Sequence, residues 1–387
     1  MLQREGIGEM TPRTAVIGAQ IFDGRKLHDG AALIVAPDGT ADVVKAADVP
    51  TDLHVVILKG GFICPGFVDL QVNGGGGVMF NDAPRVDTLA RMAEAHQTLG
   101  THAMLPTLIT DTPTQTRAAI DAVIQAMAQG VPGIVGLHLE GPHLAVAKKG
   151  AHDGALIRPM DEADLAMLLA ASEHLENLVV TLAPEAVSVQ QISALAKAGV
   201  IVSIGHSNAG YDVAMRAFDA GATMATHLFN AMSQITARDP GVAGAALRHG
   251  NVSVGLIADG LHVHPAVMRM ALSAKDAGVF AVTDAMAPAG TGMSTFPLGG
   301  RTVTRSEGRL TLDDGTLAGA DVDFPRAINV LLRDVEVRTA HALAMTTSTP
   351  ASILRGADRL GRFQGRVAGL IHFDPEGGTA RDLTDLN

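Results

Sequence analysis

Apolar and polar positions alternate over short distances in the first part of the chain. Apolar runs at residues 15–17, 31–35 and 55–57 are separated by Asp23-Gly24, Asp29-Gly30 and Asp38-Gly39. Short apolar runs bounded by Asp-Gly predict antiparallel strands joined by tight turns. After Pro65-Gly66 the pattern changes, and brief β-rich runs alternate with longer stretches that follow the helical period. That alternation predicts a parallel sheet covered by helices. Eight runs read as strands, at residues 66–73, 101–109, 133–140, 178–184, 201–207, 222–230, 252–260 and 279–285. Amphipathic stretches at 86–99, 112–129, 161–174 and 188–198 read as helices between them. Eight strand–helix alternations are the pattern of a (β/α)8 TIM barrel, in the α/β class.

Beyond the eighth run, residues 298–319 carry Gly299-Gly300 and Asp314-Gly315 between short β-like runs and predict a hairpin excursion, followed by a helix over 324–332. Residues 362–387 again read as short strands with Asp and Gly turns. They are expected to pair with the first strands. The expected organisation is a small β-sandwich domain built from both chain termini, residues 1–64 and 362–387, and a barrel over 65–361.

Composition narrows the function. Hydrophobic residues make up 47% of the 387 positions and charged residues 18%, enough apolar material for a large core. With no Trp, one Tyr and 3% aromatics, the interior must be aliphatic, and stacking platforms for nucleic-acid bases are missing. A formal charge of −11 disfavours nucleic acid and anionic membrane as partners, since both recruit an excess of Lys and Arg. An anionic substrate then requires a local cluster of cations. The single cysteine, Cys64, excludes an internal disulfide and a Cys-rich zinc site. The polar opening segment, with Glu5 and Glu9, and the lack of a long apolar run predict a cytoplasmic protein.

Barrel active sites lie at the C-terminal ends of the strands, so polar residues that end apolar runs are the candidates. The third run ends in His138-Leu-Glu140, the fifth in Gly205-His206-Ser207, the sixth in Thr226-His227, and the eighth in Thr283-Asp284-Ala285. Glu140, His206 and His227 supply one carboxylate and two imidazoles from three strand ends. Such a set leaves one coordination position of a catalytic metal open. The run from Gly74 to Gly77 suggests close backbone approach after the first strand, without the spacing of a phosphate-binding loop.

Pro65-Gly-Phe-Val-Asp69-Leu-Gln71-Val-Asn73-Gly, His138-Leu-Glu140-Gly-Pro142, Lys149-Gly-Ala-His152, Thr226-His227-Leu-Phe-Asn230-Ala-Met232, Asp259-Gly-Leu-His262 and Thr283-Asp284-Ala285 follow one another along nearly the whole chain. This ordered set resembles the N-acetylglucosamine-6-phosphate deacetylases of the amidohydrolase superfamily. The resemblance implies hydrolysis of an amino-sugar phosphate, either the gluco or the galacto epimer, with Asp284 as catalytic acid–base and His152 near the acetamide carbonyl. It also implies that Asn230, Ala231, Arg238 and His262 bind the phosphate end, with Arg238 reaching across a homodimer. Two-metal members of the superfamily carry a His-x-His pair and a strand lysine, where this chain has Gln71, Asn73 and no lysine at 178–184. One divalent ion is therefore expected, zinc first, with iron, cobalt and manganese as alternatives. Gln71 and Asn73 then orient water, line the second-metal position, or only hydrogen-bond. Another amidohydrolase activity, such as deamination, and a silent sugar-phosphate sensor are the rival readings.

Overall fold

The structure, a computed structural model, describes residues 13–356, 360–363 and 369–383. Residues 1–10, and 364–368 and 384–387 of the last expected β segment, lie outside the described residues.

Eight parallel strands form the central sheet: β1 (Phe67–Val72), β2 (Thr101–Ile109), β3 (Leu137–Glu140), β4 (Leu178–Leu182), β5 (Ile201–Ile204), β6 (Met224–Ala225), β7 (Ser253–Ile257) and β8 (Val279–Val282). Each is hydrogen-bonded to the next in chain order. The seam between β8 and β1 is closed by a Val72–Ala285 bridge and by the Asn73 amide donating to the Ala285 carbonyl at 2.8 Å. Gly74 sits at this seam because a Cβ there would meet the Val78 carbonyl at 2.5 Å and the Ala287 nitrogen at 2.7 Å. The close approach expected from the glycine run is real there.

The helices obey their sequence signals. In the helix Pro113–Ala128, Thr112 caps the first turn by accepting from the Gln115 amide, and proline occupies the first position. The helices Glu162–Ser172 and Val189–Lys197 begin with reciprocal capping boxes, Asp161 with Asp164 and Ser188 with Gln191. In the helix Phe324–Arg333, Phe324, Ala327, Ile328 and Leu331 are buried at helical spacing. Burial of each large apolar side chain on such a face contributes about 1.5–3 kcal/mol.

Strands from both ends of the described chain share one five-stranded sheet, ordered Thr379–Asp382, Leu370–Asp374, Phe62–Pro65, Gln20–Phe22, Leu27–His28. A four-stranded sheet, Ala41–Lys45, Ala31–Val35, Thr14–Ile17 and His54–Ile57, lies beside it and shares an apolar cluster around Ile21, Leu33 and Ile63. The excursion after β8 is a four-stranded meander from Thr295–Leu298 to Leu317–Ala320. One expected strand is much shorter than its apolar run: residues 222–230 yield only Met224–Ala225. Positive φ angles at His227, Phe229 and Ala231 turn the chain out of the sheet there.

Candidate metal centre and active site

The barrel mouth holds a cavity of about 390 Å³ lined by Asn73, Glu140, His152, His206, His227, Asn230, Ala231, His262 and Asp284, among others. Of the candidates read from the sequence, these nine converge. Gln71 lies just beneath them, buried, and donates its side-chain amide to Glu140 and Asp284. Arg238 is not brought in: it is exposed, in the loop before the helix Gly241–Arg248, and is absent from the cavity lining. A larger cavity of about 580 Å³ lies behind Met286, but its Arg305 already bonds the Asp321 carboxylate and the Thr291 carbonyl, and none of the catalytic candidates lines it.

The strand ends aim these groups by backbone conformation. His206, His227 and Asp284 have φ of 45°, 30° and 48°, in the left-handed region that side chains bearing a Cβ rarely occupy. Each such residue costs about 1–3 kcal/mol, which the surrounding fold must offset. The turn at each strand end throws the side chain across the barrel mouth instead of along the sheet.

Oε1 of Glu140 lies 3.2 Å from His206 Nε2 and 3.0 Å from His227 Nε2, and the two imidazole nitrogens are 3.1 Å apart. Nδ1 of His206 faces the Lys148 carbonyl at 2.7 Å, and a carbonyl can only accept. Nδ1 therefore carries the proton in the neutral ring, and the Nε2 lone pair points at a carboxylate oxygen. Lone pairs facing one another call for a cation between them. Ligands about 2.0–2.1 Å from a tetrahedral zinc lie ~3.3 Å apart, close to this triangle. The donor set fits a divalent ion.

Glu140, His152 and His206 also have ligand atoms within 4.8 Å of one another, so the choice of third ligand needs an argument. His152 Nδ1 accepts from the Thr110 backbone amide at 3.3 Å and contacts the Thr110 hydroxyl at 2.7 Å. Its proton is then on Nε2, 4.0 Å from Glu140 Oε2. A protonated nitrogen cannot ligate, so this geometry presents His152 as a hydrogen-bond donor into the cavity and leaves His227 as the candidate third ligand.

Electrostatics divide the two carboxylates. For Glu140, burial raises the pKa, but its close contacts with His206 and His227 outweigh it and hold the group well below its usual range. For Asp284, burial and then the negative charge of Glu140 push it up to about 6, against the pull of His227 and of the Asn73 donor. Burial lowers His227, but its Glu140 contacts prevail and raise it. Burial pushes His152 down to about 3 and His138 down to about 4, so both are neutral near pH 7. Asp284 Oδ1 accepts from Asn73 Nδ2 at 2.7 Å and from Gln71 Nε2 at 3.1 Å, and Gln71 Nε2 is also 3.3 Å from both Glu140 oxygens. Of the roles open to Gln71 and Asn73 from sequence, hydrogen bonding to these carboxylates is what the geometry shows.

Behind the cavity-lining His262, Asp259 Oδ1 accepts the Leu261 and His262 amides and Oδ2 lies 2.6 Å from His262 Nδ1. Asp259 thus holds His262 with Nε2 free. Several supporting partners left no sequence signal: the Thr110 hydroxyl, the Lys148 carbonyl and the Asp69–Thr283 contact all reach the site from distant elements.

An α/β barrel with a buried His/Glu cluster able to hold a metal ion, and a carboxylate of raised pKa beside it, defines a hydrolytic barrel of the metal-binding class. The sequence model of the Amidohydrolase family matches residues 62–386, and the chain belongs to that family. It is 39% identical over 363 residues to an N-acetylgalactosamine-6-phosphate deacetylase from Shewanella sp. (strain ANA-3), covering 93% of this chain and 91% of the relative. It is 35% identical to an N-acetylglucosamine-6-phosphate deacetylase from Haemophilus influenzae, covering 93% and 95%. The fold superposes on the crystal structure of N-acetylglucosamine-6-phosphate deacetylase from Pasteurella multocida with a TM-score of 0.89 at 34% identity, covering 95% and 96%. A Mycobacterium smegmatis N-acetyl-D-glucosamine-6-phosphate deacetylase mutant in complex with N-acetyl-D-glucosamine-6-phosphate gives 0.85 at 29% identity, covering the same shares.

Proposed function

We propose that this chain hydrolyses N-acetyl-D-glucosamine 6-phosphate to D-glucosamine 6-phosphate and acetate, in amino-sugar catabolism and cell-wall recycling. The observation that carries the reading is one cavity lined by two chemically distinct sets of groups: Glu140, His206, His227, His152 and Asp284, and with them Asn230, Ala231 and His262.

Glu140, His206 and His227 would hold one divalent ion, with zinc favoured by the nitrogen and oxygen donors and iron, cobalt or manganese able to replace it. When bound, the ion supplies Lewis acidity that polarises the acetamide carbonyl and acidifies water. Asp284 takes the proton from the attacking water as the new C–O bond forms. The same carboxyl group passes that proton to the nitrogen as the C–N bond breaks, releasing the neutral amine and acetic acid, which loses its remaining proton to solvent to give acetate. Its raised pKa suits both transfers. His152 Nε2–H donates to the carbonyl oxygen as negative charge gathers on it. Asn73 and Gln71 keep Asp284 Oδ1 occupied, so Oδ2 is left for the proton.

The phosphate end uses Asn230, the Ala231 amide and His262. Arg238 has no hydrogen bond or ion pair of its own among the described residues and lies near the exposed Ile235. We assign it to the phosphate pocket of a second subunit in a homodimer. The division into a terminal β-unit, 1–64 and 362–387, and a catalytic barrel, 65–361, belongs to the same reading. So does a cytoplasmic location; no helix among the described residues is long and apolar enough to cross a membrane.

A second reading has support of its own, because the relative at 39% identity is named for the galacto epimer. Acetate release from both 6-phosphates, measured on one preparation with its metal content, tests the proposal. A higher kcat/KM for the gluco substrate supports it, and a preference for the galacto substrate selects the second reading. Ammonia in place of acetate, or no turnover of either sugar, overturns both.

A further inference from the structure

The layer directly below the metal-binding groups is polar, where barrels of this kind usually stack branched apolar side chains. Thr107, His138, Thr181, Ser203 and Thr226 are all buried there, on β2 to β5 and at the end of β6. Their contacts form a line: His138 Nδ1 lies 2.9 Å from the Leu70 carbonyl, His138 Nε2 2.7 Å from Thr181 Oγ1, Thr181 Oγ1 2.6 Å from Thr226 Oγ1, and Thr226 Oγ1 2.6 Å from Ser203 Oγ.

For a neutral imidazole the direction of this line is fixed. A carbonyl only accepts, so His138 Nδ1 carries the proton that Leu70 receives. Thr107 does not compete, because its hydroxyl donates to the Leu105 carbonyl at 3.1 Å and accepts the Val72 amide at 2.9 Å. In the neutral ring Nε2 is then an acceptor, and Thr181 must donate to it. Each hydroxyl has one proton. With that proton spent, Thr181 accepts from Thr226, and Thr226 in turn accepts from Ser203.

We infer that His138 is a positioning residue, held as the Nδ1–H tautomer by a one-way chain running from Ser203 through Thr226 and Thr181 to His138 and the Leu70 carbonyl. The chain links β1, β3, β4 and β5 with the residue that follows β6. Its two ends act where register matters most for the site. Leu70 precedes Gln71, whose amide touches both Glu140 and Asp284, and His138 is two residues before Glu140 on β3. A shift of β1 against β3 would change the Gln71–Glu140 and Gln71–Asp284 distances together. Across the seam between β8 and β1, Asp69 accepts the Thr283 amide and hydroxyl and ties β1 to the residue before Asp284. A buried polar layer with every proton assigned favours one register over its neighbours.

The test has two arms, and only the kinetic arm rests on the deacetylase reading. In the first, ¹⁵N-histidine-labelled wild-type holoenzyme is examined by long-range ¹H–¹⁵N correlation at pH 7. His138 is assigned by its loss in His138→Gln or, where that variant does not fold, by the resonance that moves in Thr181→Ser. A protonated Nδ1 with a bare Nε2 is expected; a protonated Nε2 or a charged ring overturns the inference. In the second, Thr181→Val removes the hydroxyl while keeping its shape. We expect kcat to fall about tenfold, the low end for groups that orient metal ligands, with KM within about twofold and metal content unchanged. Thr181→Ser should recover most of the loss. Wild-type kcat in Thr181→Val, or equal impairment in Thr181→Ser, overturns the inference. Should Thr181→Val not fold, the tautomer decides. Absence of turnover in the wild type would count against the proposed activity and leave the tautomer result standing.

Discussion

Replacing Asp284 by Asn isolates proton transfer from shape. The carboxylate Oδ1 accepts from Asn73 Nδ2 at 2.7 Å and Gln71 Nε2 at 3.1 Å, and an asparagine carbonyl oxygen accepts both in the same place. The substituted Nδ2 lies in the position of Oδ2, facing the cavity, where it can neither take a proton from water nor return one to nitrogen. General acid–base catalysis contributes about 10²–10⁴-fold, which at about 1.36 kcal/mol per decade is roughly 2.7–5.4 kcal/mol of barrier. Acetate release by Asp284→Asn should therefore show kcat reduced at least about 100-fold, with metal content unchanged and KM little altered. The pH profile adds an independent check. Burial and Glu140 place the Asp284 carboxyl at about 6, and the attacking water needs it ionised. Wild-type kcat/KM should thus fall as pH drops below that value, with a limb of one proton. A bound cation moves the limb to lower pH, never higher. The residual activity of Asp284→Asn should lack the limb. A variant within tenfold of wild type, or one that keeps the acid limb, would refute the assignment of Asp284 as the base.

Three further outcomes are expected. Prolonged chelation should abolish acetate release and readdition of zinc restore it, while Glu140→Gln should bind less than one ion per chain by elemental analysis; full occupancy in that variant would exclude Glu140 as a ligand. His262→Ala removes a group of the proposed phosphate pocket; a lost hydrogen bond to a charged group costs about 1.5–3 kcal/mol, so kcat/KM for the 6-phosphate substrate should fall roughly 10- to 150-fold without affecting the unphosphorylated sugar, and an equal loss on both would move the phosphate elsewhere. Asp69 is fully buried, and burial pushes its carboxyl from 3.8 up to about 7 despite the Thr283 and Gln71 donors. A raised folded-state pKa stabilises fully below the unfolded value and is lost as pH rises through the folded one. The Tm of Asp69→Asn relative to wild type should therefore rise between pH 4 and 7; a flat difference would show that Asp69 does not titrate in this window.

Much of the fold was legible because local physics wrote it. The strand at residues 101–109 and the helices at 113–128, 162–172 and 189–197 follow their apolar periods to within a few residues, and the Asp-Gly turns mark where the first strands end. The sixth strand was the exception. Its apolar run extends to Phe229, yet pairing stops at Ala225, because φ angles imposed by the site turn His227 out of the sheet. Periodicity cannot register a backbone angle.

Within the site, sequence alone determined which chemical groups stand at the strand ends, since a polar residue closing an apolar run has only the barrel mouth to face. Glu140, His206, His227 and Asp284 were readable on that ground. Tertiary structure decided how each group works. That His206 offers a lone pair and His152 a proton depends on the Lys148 carbonyl and the Thr110 amide, groups present at every residue and so invisible as a motif. The same holds for Gln71, which stands in sequence where a second metal ligand was conceivable and in space between two carboxylates. Arg238 stands outside its own chain's cavity, a fact no spacing conveys. Residue type sets what a side chain can donate or accept; the partner across the barrel sets which it does.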